Sequence, residues 1–122
     1  MRALRVAAVG ALAACNGITA PCDTSERAGI HLSIVDSLSQ TAVLVDSIKA
    51  AAIDDAYEER TSFSNLRPDP VTDVLLAMER AGVYEVQVNA IGYRPWRRDQ
   101  IEVTNGRCHV NTAHITALLQ RE

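Results

Sequence analysis

The sharpest constraint in this chain is the run from Gly82 to Gly92, in which Tyr84, Val86, Val88 and Ala90 alternate with Glu85, Gln87 and Asn89. Successive side chains of a strand point to opposite faces, so the run has one apolar face and one polar face. It predicts a half-buried antiparallel strand, and such a strand needs a second layer to cover its apolar side. The same period of two governs Ile30, Leu32 and Ile34, set against His31, Ser33 and Val35, with a turn over Asp36–Thr41.

Ile101 and Val103 flank Glu102 in a further strand, and Asn105-Gly106 is a strong two-residue hairpin signal because both residue types tolerate positive φ. A final strand is expected from Arg107 to Leu119. Within it Val110 and Ile115 differ by an odd number, so one unbroken strand cannot turn both toward the same core. The expectation there is a bulge, or burial on both faces near the strand's end. Asp46–Arg60 and Asp73–Ala81 carry mixed signals, since both are rich in helix formers and begin with an Asp suited to capping. Against a helix, Ile48, Ala50 and Ala52 alternate with Ser47, Lys49 and Ala51, and Gly82 suits a tight turn into the next strand. Both stretches are read as strands. Pro68 and Pro70 lack the N–H that a central ladder needs, so Asn65–Pro70 is read as a loop.

The first residues form a separate object. Met1–Arg5 carry two arginines and no acid, and Val6–Ala14 are nine residues without a charge. As a helix those nine rise about 14 Å, roughly half a bilayer's hydrocarbon thickness, so they read as an export signal and not as a membrane span. The stretch ends Leu12-Ala13-Ala14-Cys15, which resembles the bacterial lipobox. That resemblance implies that residues 1–14 are removed and that Cys15 becomes the acylated first residue. An ordinary secretory signal, cut after Ala20, is the alternative. Without Arg2 and Arg5 the balance is 10 basic against 15 acidic residues, or −5, which offers no electrostatic hold on nucleic acid. With 48% apolar residues and no low-complexity tract, the remainder is one folded domain and not a disordered tail. Residues 16–27 read as a tether. Of three cysteines, one is taken by the lipid, and outside the cytoplasm the remaining pair, Cys22 and Cys108, is expected to be oxidised.

The segment Glu79-Arg80-Ala81-Gly82-Val83-Tyr84, running through Val86 and Val88 to Ala90-Ile91-Gly92-Tyr93, resembles the carboxypeptidase regulatory-like domain family. The resemblance covers residues 28–119 and is dense from Glu79 onward. It implies a prealbumin-like or Ig-like antiparallel β-sandwich of about seven strands. In that family a Gly-x-Tyr opens a strand, matched by Gly82 and Tyr84, and a Gly-Tyr pair closes it, matched by Gly92 and Tyr93. Gly permits the turns, while each Tyr offers a ring to the core and a hydroxyl to the edge. The family usually has a Gly in each of the first two turns, where this chain has Gln40-Thr41 and Asp54-Asp55.

For chemistry, His109 and His114 are five apart and so face opposite sides of a regular strand, while His31 has no near partner in sequence. Asp54, Asp55, Glu58 and Glu59 form an oxygen-rich cluster, but no Gly is present to wrap backbone around a calcium ion, and the cluster reads as a solvated rim. No nucleophile elbow, zinc-protease motif, Cys-x-x-Cys or phosphate-binding glycine loop occurs. The transthyretin-related hydroxyisourate hydrolases share the fold and end in Tyr-Arg-Gly-Ser, whereas this chain ends Leu118-Leu119-Gln120-Arg121-Glu122. Neither a cofactor nor catalysis is expected. The segment most suited to a partner is Tyr93–Arg98, which gathers Tyr93, Arg94, Trp96, Arg97 and Arg98 in a chain with only five aromatic residues. An envelope protein or a glycan fits it. The competing reading is that Tyr93 and Trp96 cap the core while the arginines balance nearby acids. The expectation from sequence is thus an exported, lipid-anchored, non-catalytic accessory or interaction module of the cell envelope, with a carbohydrate- or peptidoglycan-binding module as the alternative.

Overall fold

The computed structural model describes residues 21–122. The described chain contains no helix and eight strands: β1 (Ala28–Asp36), β2 (Ile48–Asp54), β3 (Tyr57–Phe63), β4 (Asp73–Met78), β5 (Gly82–Ala90), β6 (Trp96–Asn105), β7 (Val110–Asn111) and β8 (Ala113–Leu119). They form two sheets, ordered β4-β1-β8 and β3-β2-β5-β6-β7. The all-β sandwich read from the sequence is the observed fold, with eight strands in place of about seven. Its core is aliphatic. Ile30, Leu32 and Ile34 of β1, with Leu76, Ile115 and Leu119, pack with Ile48, Val86, Val88 and Val103 of the larger sheet. Each such side chain contributes roughly 1.5–3 kcal/mol by leaving water.

Both stretches with mixed signals are strands. Asp54 pairs with Tyr57, so β2 and β3 form a hairpin closed by Asp55-Ala56, and β4 pairs antiparallel with β1. Propensity yields here to burial: Ala50 and Ala52 are 2% and 0% exposed, which the strand period delivers and a surface helix would not. The two turns where the family usually has Gly each hold one left-handed residue, Gln40 at φ 60° and Asp55 at φ 50°. At the first turn the Asp36 carboxylate offsets the strain by accepting the N–H groups of Leu38 and Ser39 at 2.8 and 3.0 Å.

Three expectations are corrected. Asn105-Gly106 is not a two-residue turn, because Asn105 pairs with Val110 and leaves residues 106–109 as the loop. The span 107–119 is not one strand: the chain changes sheets at Thr112, so Val110 of β7 and Ile115 of β8 reach one core from opposite layers. That crossing resolves the odd spacing without a bulge. A bulge does occur in β6, where Asp99 and Gln100 together oppose Glu85 and Gln100 has φ 58°. The third correction concerns direction. β8 runs parallel to β1, with Ile30 opposite Ala113 and Asp36 opposite Leu119, inside an otherwise antiparallel fold. The short β7 link makes this possible, because it returns the chain to the end where β1 begins.

The registers define two ends. The near end holds Ala28, Met78, Gly82 and Val103, and the far end holds Asp36, Ile48, Ala90 and Leu119. Cys22 and Cys108 are joined by a disulfide with their Cα atoms 5.3 Å apart, which ties the segment before β1 to the β6–β7 loop at the near end.

Candidate functional site

The segment singled out from sequence lies at the far end, and its two aromatics turn inward. Gly92, at φ 82°, reverses the chain after β5 and delivers Tyr93 to a site where it is 8% exposed. The Tyr93 hydroxyl donates to Asp36 Oδ2 at 2.6 Å, and Arg121 Nε donates to the same oxygen at 2.8 Å. Backbone bonds from Arg94 N–H to the Gln120 carbonyl (2.8 Å) and from Glu122 N–H to that of Gly92 (3.0 Å) fasten the segment to the C-terminus. Trp96 is half-buried against the core, opposite Val88. Arg97 is held by Asp99 (3.1 Å) and Glu85 (3.7 Å). Arg94 and Arg98 are exposed. A shallow groove of about 370 Å³ runs past Arg94, Trp96, Arg97 and Leu118.

Asp36 is the hub of this end. Its carboxylate is 1% exposed, and the Tyr93 hydroxyl, then the Ser39 N–H and Arg121, hold its pKa well below the usual carboxylate range. Burial first, and the Asp36 charge second, push the Tyr93 phenol upward, so it remains a donor. A carboxylate with a lowered folded pKa stabilises fully above its unfolded value of about 3.9, and that contribution disappears as pH falls toward the folded value. We predict that Asp36→Asn is markedly destabilised at pH 7 and that its gap to the wild type narrows steadily below pH ~4. Urea unfolding at both pH values checks this; an unchanged gap in acid would refute the assignment.

The remaining expected groups disperse. Asp54 binds Arg80 at 3.1 Å, Glu58 binds Arg60 at 2.6 Å, and Glu59 accepts from the Tyr57 hydroxyl and the Ala77 N–H. Among the described residues, no group of three or more His, Cys, Asp or Glu side chains is arranged to hold a metal ion. His109 precedes β7 and His114 lies on β8. Beside the disulfide, His109 bridges Glu79 and Asp23; Glu79 first, and Asp23 with it, raise its pKa against the effect of burial. His31 and His114, unrelated in sequence, are register partners with ring centroids 5.1 Å apart, and Asp73 lies 3.2 Å from His31 Nε2. Only the parallel β1–β8 pairing, which the sequence did not disclose, brings them together.

Sequence reasoning also missed a groove of about 330 Å³ on the outer face of the larger sheet. Register builds it: Lys49 sits between Ser62 and Asn89, and Ala51 sits between Arg60 and Gln87. Ala51 points away from the core yet is only 3% exposed, because longer neighbours rise around a side chain of one carbon. The signal was present as the polar residues of each alternating run, but only strand order aligns the three runs.

Cys15 and the expected signal, residues 1–14, lie outside the described residues. Comparison with protein-family models, curated proteins and solved structures finds no match to this chain.

Proposed function

We propose that this chain is an exported, lipid-anchored and non-catalytic β-sandwich of the carboxypeptidase regulatory-like type, acting as an accessory or interaction module at the bacterial cell envelope. The observation that carries the reading is the Cys22–Cys108 disulfide. Such bonds persist in oxidising compartments outside the cytoplasm, in keeping with the charged and apolar pattern of the first residues. The bond also gives the module an orientation. From Cys15 to Cys22 is seven residue steps, at most about 24 Å when extended, so a lipid on Cys15 keeps the near end close to the membrane. The far end, with Tyr93–Arg98, is then directed outward. The family reading is supported by the two-sheet architecture and by the roles of Tyr84 and Tyr93, each with a buried ring and a bonded hydroxyl.

The test is fractionation. The wild type is expected in the membrane fraction and labelled by a clickable fatty acid, while Cys15→Ser is expected unlabelled and soluble. A Cys15→Ser protein that still sediments with membranes would overturn the anchor.

A second reading, a carbohydrate-binding module, is favoured by the polar groove beside Lys49 and Arg60, which is the kind of surface a hydroxyl-rich ligand requires.

A further inference from the structure

The outer face of the larger sheet is divided by charge. Toward the near end, Asp54, Asp55, Glu85 and Asp99 border a depression of about 520 Å³. Toward the far end lies the groove over Ala51, where the charged side chains are Lys49 and Arg60. In a protein with more acids than bases, this separation concentrates positive potential in one concave strip.

The strip is unevenly satisfied. Lys49 is exposed and makes no ion pair with the described residues, whereas Arg60 is engaged through Nε with Glu58 and keeps its other guanidinium donors. Gln87 donates one amide hydrogen to Glu85 and retains its carbonyl oxygen, and Asn89 and Ser62 add an amide and a hydroxyl on either side of Lys49. The lining residues include no aromatic ring, so the groove cannot recognise a ligand by stacking. What it offers is two cations and several neutral donors and acceptors along an extended floor. A flat, hydroxyl-bearing chain with carboxylates at intervals uses all of these, and the acidic half of the sheet repels it from any other placement.

We propose that this groove binds a carboxylate-bearing polysaccharide, with Lys49 and Arg60 facing its carboxylates and Gln87, Asn89 and Ser62 its hydroxyls. The proposal rests on the carbohydrate-binding reading but not on the lipid anchor. Binding is charge-led and therefore weakens with salt.

The experiment measures retention and calorimetric binding of the detergent-purified full chain with oligogalacturonate, isolated peptidoglycan and neutral dextran. The expected result is binding to at least one of the two acidic glycans, none to dextran, and loss in high salt; the two acidic probes separate a uronate source from a peptidoglycan source. Lys49→Glu, on an exposed side chain, is expected to keep the wild-type melting temperature and to weaken binding at least about tenfold. Glu58→Gln releases Arg60 and is expected to tighten binding by about threefold. Binding to neither acidic glycan, equal binding to dextran, or affinity unchanged by Lys49→Glu each overturns the proposal. Because the assay uses purified protein, these failures leave the Cys15 fractionation result untouched, and failure of that result leaves the groove assay valid.

Discussion

Replacing Cys22 and Cys108 together by serine lowers the stability of the sandwich by about 4–5 kcal/mol, the loop-closure entropy expected when an 86-residue separation is no longer cross-linked. For a domain of this size that is a third or more of its total stability. The measurement is urea unfolding of the double variant beside the oxidised wild type, with wild type under reductant as a second reference. A variant within about 1 kcal/mol of the wild type would show that the bond restrains little. The Asp23–His109–Glu79 contact stands beside the bond and survives its removal. Because the His109 pKa is raised on folding, the contact's contribution is complete below the ordinary histidine value and fades as pH rises through the folded one. The serine variant is therefore expected to lose further stability toward alkaline pH.

The second large effect comes from Asn65, a polar side chain with no exposed surface at the start of the proline loop. Its carbonyl oxygen accepts the Val71 N–H at 2.7 Å, and its amide donates to the carbonyls of Val43 and Val71 at 2.8 and 2.9 Å. One carboxamide thus serves three backbone groups that no ladder reaches. Asn65→Ala leaves all three without partners, and at 1–3 kcal/mol for each such group, discounted for water entry, the expected loss is about 3–5 kcal/mol. Asn65→Asp is expected to be at least as damaging at neutral pH, since it sets a carboxylate against two carbonyl oxygens. Thermal unfolding of both variants decides, and an Ala variant melting with the wild type would refute the assignment.

Legibility in the sequence followed the range of the forces involved. β1 and β5 could be read directly because alternation is local and each has one buried face. The β2–β3 hairpin and β4 could be read only by weighing alternation against helix propensity, and burial at Ala50, Ala52 and Leu76 decided in favour of strands. The end of the chain was misread for a physical reason. A strand that changes sheets and a strand with a bulge leave the same odd spacing, and only the pairing partners distinguish them. The site divides in the same way. The prominence of Tyr93 and Trp96 was visible in sequence, but whether they face solvent or core depends on Asp36 and Arg121, which lie 57 and 28 residues from Tyr93. The groove was invisible because its walls come from three strands whose neighbourhood is set by β2 lying between β3 and β5.

The position of the disulfide has a mechanical consequence. β1 is the middle strand of its sheet, and tension arriving from residue 21 would otherwise enter at Ala28 and shear β1 from both neighbours. Because the covalent link precedes β1, the pull divides at Cys22 and passes into the loop between β6 and β7. A domain held by its leader and tugged by whatever it grips is thereby loaded through a sulfur bridge, and its central ladder carries little of the force.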